Sequence, residues 1–227
     1  MLVLICALAG LVAGPGLAGL TRVLADRPAT LQDVVAGYRC IGKREVLCGA
    51  LAAGLFALAA ACWGWDLRLL PHLVLFGVSL LFSVIDIERY LIPNRLLVPA
   101  LYASGILMAV SSLVSGSPIE LVRAVAGAVL FFVVMLVFHL LYPAGMGLGD
   151  VKLAFLLGLF LGWAGTSIGP ALRLTMFGLF FGALFGSIIG AIVLLVVRRK
   201  GAFFPYGPSL CAGTLVTLVA AATLVPR

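Results

Sequence analysis

Two acidic side chains in this sequence sit where charge is costly. Asp86 ends a long uncharged run, within Ser83-Val-Ile-Asp86-Ile-Glu88-Arg-Tyr-Leu-Ile-Pro93-Asn94. Asp150 opens another, within Gly147-Leu-Gly149-Asp150-Val-Lys152-Leu. An ionisable group at a membrane boundary is a functional candidate by default. Two carboxylates at one depth can share a proton, which is the basis of general acid–base chemistry on water. Asp86 falls at a predicted helix C-terminus, whose dipole disfavours an anion. Asp150 follows two glycines at a predicted helix N-terminus, whose unpaired N–H groups favour one. Asp86 is therefore expected as the protonated acid and Asp150 as the ionised base. Glu88 competes with Asp86, but residues two apart point to different sides of a helix. Asp86 is favoured, and Glu88 is left to pair with Arg89 or Arg95. Pro93 biases Ile92 away from helical geometry, so the helix carrying Asp86 is predicted to end before it.

The elements that must position these acids follow from composition. Of 227 residues, 64% are hydrophobic and 10% charged, against about 25% charged in soluble domains. That excludes a soluble globular protein, and such hydrophobicity excludes disorder. The net charge of +7 has one basic cluster, Arg198-Arg199-Lys200, too small for a nucleic-acid surface. Uncharged runs cover 1–21, 46–65, 69–85, 96–119, 124–149, 153–172, 174–197 and 201–226. A membrane helix needs about 20 apolar residues. The runs are continuously apolar, without the alternation of barrel strands. The expected fold is all-α: one polytopic membrane domain over 1–227 with about eight transmembrane helices. Met1–Ala18 lacks the basic start of a signal peptide and reads as a retained first helix. The loop at 22–45, with Arg22, Arg27, Arg39, Lys43 and Arg44, falls on the same side as Arg89, Arg95 and residues 198–200. The positive-inside rule makes that side cytoplasmic, with both aspartates on it and both termini opposite.

Other reactive residue types read as structural. Cys6, Cys40, Cys48, Cys62 and Cys211 form no CxxC pair, so no disulfide or metal is assigned. His72 and His139 fall on opposite halves of the membrane and read as hydrogen-bonded packing residues. Trp63, Trp65 and Trp163 read as interfacial anchors, Asp66 as part of an interfacial turn, and Glu120 as a complement to a helix N-terminus.

The two acidic segments resemble motifs of the type IV prepilin peptidases. Asp86-Ile-Glu-Arg-Tyr-Leu-Ile-Pro93-Asn94 resembles their D-x(5)-I-P-[ND] motif. Gly147-Leu-Gly149-Asp150-Val-Lys152-Leu153 resembles G-x-G-D-x-K-L, and Pro205-Tyr-Gly207-Pro208 resembles the P-[FY]-G-P loop before the last helix. Gly10…Gly14…Arg22 loosely matches the Gly-rich first helix. The resemblance implies an aspartic endopeptidase of the bacterial cytoplasmic membrane with Asp86 and Asp150 as catalytic pair. Glu88, Pro93, Asn94, Gly147, Gly149, Lys152, Pro205, Gly207 and Pro208 would support it or bind substrate. The implied partners are prepilins or pseudopilins, cleaved after a Gly just before the hydrophobic stem on the cytoplasmic side, and the bilayer itself. The glycines before Asp150 permit close approach of an extended substrate. Lys152 would support the anion or reach the headgroups. Many members also methylate the new N-terminus with S-adenosylmethionine, an activity associated with a longer loop carrying two CxxC pairs. The loop at 22–45 has none, so a peptidase-only form without cofactor is expected. Two other readings use the same acids. A presenilin or signal-peptide-peptidase-like protease shares Gly147-Leu-Gly149-Asp150, but Ile85 stands where a Tyr would precede Asp86. A proton-coupled transporter would place its carboxylates nearer the bilayer centre.

Overall fold

A computed structural model of the chain describes every residue except 25, 27–29, 40–41, 144–145, 198–204 and 225–227. Arg27, Cys40, Arg198, Arg199 and Lys200, to which the sequence assigned roles, lie outside the described residues. Among the described residues the chain is all-α. The helices are α1 (Leu2–Thr21), α2 (Leu31–Arg39), α3 (Lys43–Trp63), α4 (Leu69–Arg89), α5 (Asn94–Val114), α6 (Ile119–Leu141), α7 (Leu148–Ala164), α8 (Ile168–Val197) and α9 (Gly207–Leu224). Each uncharged run contributes one long helix, and α2 is an additional short one within 22–45. Seven helices among the described residues are long and apolar enough to cross a membrane. The eighth, α7, has 17 residues, which span about 25 Å at 1.5 Å per residue, against a hydrocarbon core of about 30 Å. The fold is that of a polytopic α-helical membrane protein.

Charge boundaries and helix boundaries differ in places. Arg123 lies inside α6, as helix spacing predicts, and its guanidinium donates to the Thr166 carbonyl and pairs with Glu120 at 3.5 Å. The run at 153–172 is divided between α7 and α8. The division falls at Gly165, where Ala171 of α8 comes so close that any Cβ on Gly165 would stand 2.5 Å from its Cα. Arg173 accordingly lies within α8.

The chain packs as two compact units. The first comprises Met1–Arg89 and Pro93–Ser111. Here α1 and α3 meet backbone to backbone. A Cβ on Gly14 would fall 2.2 Å from the Gly49 Cα, an approach no larger residue permits. On α4, Leu75, Phe76, Leu81, Phe82 and Ile85 are buried. Trp63 is buried and stacks on His72, ring centroids 3.7 Å apart. It is a packing residue rather than an interfacial anchor, while Trp65 is exposed. Asp66 accepts from the Arg68 N–H at 2.9 Å, as a turn residue should.

The second unit comprises Tyr90–Ile92 and Ser112–Arg227. Its centre is α7, buried almost continuously from Leu153 to Trp163, as expected of a helix apolar on every side. α6 lies antiparallel to it through Gly127, Gly158 and Gly162. Trp163 is again internal: its indole N–H donates to the Ser112 hydroxyl at 2.9 Å, and that hydroxyl donates to Glu120 at 3.1 Å. Glu120 therefore belongs to a buried polar cluster with Arg123, beyond any role at the helix dipole.

Candidate active site

Asp86 lies in the last turn of α4 and is 4% exposed. Glu88, two residues on, turns outward, and Arg44 bonds it at 2.8 Å. The same guanidinium donates to the Thr21 hydroxyl at 2.7 Å, so Arg44 ties the ends of α1 and α4 from its place at the start of α3. The expected partners of Glu88, Arg89 and Arg95, are replaced in this role by Arg44. Arg89 instead reaches Asp26 at 2.9 Å. Glu45 receives the Gly42 N–H at 3.0 Å and the Arg22 guanidinium. The end of the first unit that carries Asp86 is thus braced by ion pairs on three helices.

α4 stops at Arg89 because Tyr90 adopts a left-handed backbone, φ 55°. Glycine is the usual residue there, and a tyrosine costs about 1–2 kcal/mol. Such strain clusters at functional sites. Pro93 is buried and its carbonyl accepts the Leu96 and Leu97 N–H groups at 3.0 and 3.1 Å, capping α5. Asn94 is the exposed first residue of α5.

In the second unit Asp150 lies in the first turn of α7 and is 9% exposed. Its N–H donates to the carbonyl of Gly147, the cap residue, at 3.1 Å. Gly149 packs against Ile92: a Cβ added to it would stand 3.0 Å from the Ile92 Cβ. The isoleucine of one motif therefore touches the glycine of the other. Lys152 is exposed on α7. The Pro205-Tyr-Gly207-Pro208 segment starts α9. The Tyr206 carbonyl accepts the Ser209 and Leu210 N–H groups at 3.1 and 3.2 Å. Gly207 is buried, and Pro208 needs no donor in a first helical turn.

Tyr206 itself was not singled out from the sequence. Its ring fills the space beside Gly186 of α8, 2.5 Å from where a Cβ there would stand. Burial pushes its phenol above the ordinary tyrosine range, and the negative charge of Asp150 adds to the effect. Asp150 and Tyr206 therefore share one electrostatic neighbourhood. The only sequence signal was the motif around it, since an aromatic before a helix usually reads as packing.

Residues 73–195 match the profile of the type IV leader peptidase family, a match over more than half of the chain. Three relatives each bear the name prepilin leader peptidase/N-methyltransferase. That of Bacillus subtilis (strain 168) is 34% identical over 49% of this chain and 43% of its own length. That of Klebsiella pneumoniae is 33% identical over 55% and 57%. That of Aeromonas hydrophila is 28% identical over 77% and 56%. The chain spans about half the length of the curated relatives it matches. No solved structure matches it. Both acidic motifs fall inside the matched residues, and the chain belongs to the type IV leader peptidase family.

Proposed function

We propose that this protein is an aspartic endopeptidase that removes the leader of prepilins or pseudopilins at the cytoplasmic face of a bacterial inner membrane. Family membership, with its two acidic motifs kept in order, is the observation that carries the reading. In the reaction Asp150 takes a proton from water, whose oxygen attacks the scissile carbonyl, and Asp86 supplies a proton that ends on the leaving amine. Three features support these roles. Asp86 is buried in the last turn of α4, and Asp150 is buried in the first turn of α7. Glu88 is occupied by Arg44. Ile92, six residues after Asp86, lies against Gly149. The supporting residues would act through this frame: Pro93 and Asn94 end the Asp86 segment, Gly147 leaves room for an extended backbone, Gly149 admits the Ile92 side chain, and Pro205, Gly207 and Pro208 place Tyr206 near Asp150. Lys152 would steady the anion or meet the headgroups.

The reading is peptidase-only and needs no cofactor, because the 22–45 segment carries no CxxC pair. Neither the transporter nor the presenilin-like alternative is favoured by any relative found. Co-expression with candidate prepilins, with leader removal and N-terminal mass read together, tests it. A shortened pilin with an unmethylated N-terminus is expected. Full-length prepilin in every pairing would refute the peptidase, and a mass gain of one methyl group would refute the peptidase-only form.

A further inference from the structure

His139 stands in the last turn of α6, outside the motifs, and its Nδ1 lies 2.8 Å from the Met146 carbonyl oxygen. A carbonyl only accepts, so Nδ1 carries the hydrogen and donates it. Met146 immediately precedes Gly147, the cap of α7, whose own carbonyl receives the Asp150 N–H. The chain of connection is short: α6 holds His139, His139 holds the Met146 peptide, and that peptide leads through Gly147 into the turn of Asp150.

The two glycines explain why such a hold is useful. Glycine at 147 and 149 leaves the turn free to take many conformations. The Met146–Gly147 peptide is planar, so fixing its C=O also fixes its N–H, which points the opposite way. One side chain from a neighbouring helix thereby restrains both ends of the peptide that enters the Asp150 turn. We propose that His139 is a positioning residue for Asp150, latching the glycine-rich turn through its Nδ1–H bond to Met146.

The inference rests on the peptidase reading for its kinetic consequence, and the test separates the two. Purified full-length protein is compared as wild type, His139→Phe and His139→Asn, with prepilin as substrate. Asparagine places an amide N–H near the position of Nδ1, whereas phenylalanine keeps bulk without a donor. His139→Phe is expected to lower kcat by about 10- to 100-fold, the scale of a misplacement near 1 Å. KM should stay within about threefold, and His139→Asn should recover most of kcat, as expected when a hydrogen bond positions the reacting groups. Hydrogen exchange of the amides at 147–150 supplies a readout without catalysis: faster in the phenylalanine variant, near wild type in the asparagine one. If wild type cleaves no prepilin, the peptidase reading fails and exchange still decides the latch. Unchanged exchange in His139→Phe, or equal impairment of both variants, overturns the proposal.

Discussion

Gly158 is where backbone packing is most exposed to test. A Cβ added there would stand 2.6 Å from the Gly127 carbonyl oxygen, 2.8 Å from the Ala128 Cα and 2.9 Å from the Phe131 Cβ. None of these atoms ends a flexible side chain, so the clash is relieved only by moving α6 from α7, by roughly 0.8 Å to regain ordinary contact. Overpacking of this kind costs typically about 1–3 kcal/mol, and three simultaneous contacts place Gly158→Ala near the upper end. Removing a helical glycine returns about 0.5–1 kcal/mol. The net loss is about 2 kcal/mol, which for a chain of this size lowers Tm by about 4–8 °C. Gly54 of α3 supplies the control, because a Cβ there meets nothing within 4 Å. Gly54→Ala should raise Tm by about 1–4 °C. Thermal unfolding of both variants in one detergent reads the difference in sign. A Gly158→Ala protein as stable as wild type, or shifted the same way as Gly54→Ala, would refute the close approach of α6 and α7.

Two further outcomes concern the site. Burial and the Asp150 charge both raise the Tyr206 phenol, so it should ionise last among the chain's five tyrosines. Because the folded protein holds this proton above the pH at which the unfolded chain releases it, the phenol's stabilising contribution is complete below the ordinary tyrosine range and is lost as pH rises through the raised value. Tyr206→Phe should remove the most alkaline part of the phenolate absorbance titration, and Asp150→Asn should move that part to lower pH; an unmoved curve in both would place the two groups apart. Glu88→Gln should leave prepilin cleavage within about threefold, since a partly exposed pair such as Arg44–Glu88 contributes about 1 kcal/mol or less. Loss comparable to that of an Asp86 variant would instead assign Glu88 to the chemistry.

The apolar runs were enough to read an all-α membrane fold, because hydrocarbon leaves little alternative to a helix when no alternation is present. The end of α4 was legible to within a few residues: Pro93 bars a helix from running through it, although Tyr90 ends α4 first, and the outward turn of Glu88 follows from helical spacing. Arg123 and Glu120 were less legible. Helical spacing sets Arg123 one turn from Glu120, but the Thr166 carbonyl that Arg123 reaches lies 43 residues away, and no pattern marks Ser112 as the partner of Glu120. The same holds for Trp63 and Trp163, whose positions near run ends suited an interface. What internalises them is a stack on His72 and a bond to Ser112, neither visible from spacing. Tyr206 was hidden differently. Its type fits ordinary packing, and its closeness to Asp150 arises only when α9 folds back beside α7.

Cooperation of Asp86 and Asp150 is tested most directly by cleavage of a prepilin by purified Asp86→Asn, Asp150→Asn and the double variant, each checked for wild-type thermal unfolding. Groups that act as one unit lose nearly everything on the first removal and little more on the second. Each single variant should fall by about 10³-fold or more, and the double variant no further. Substantial cleavage surviving in either single variant, or losses that multiply in the double, would contradict a shared two-carboxylate mechanism.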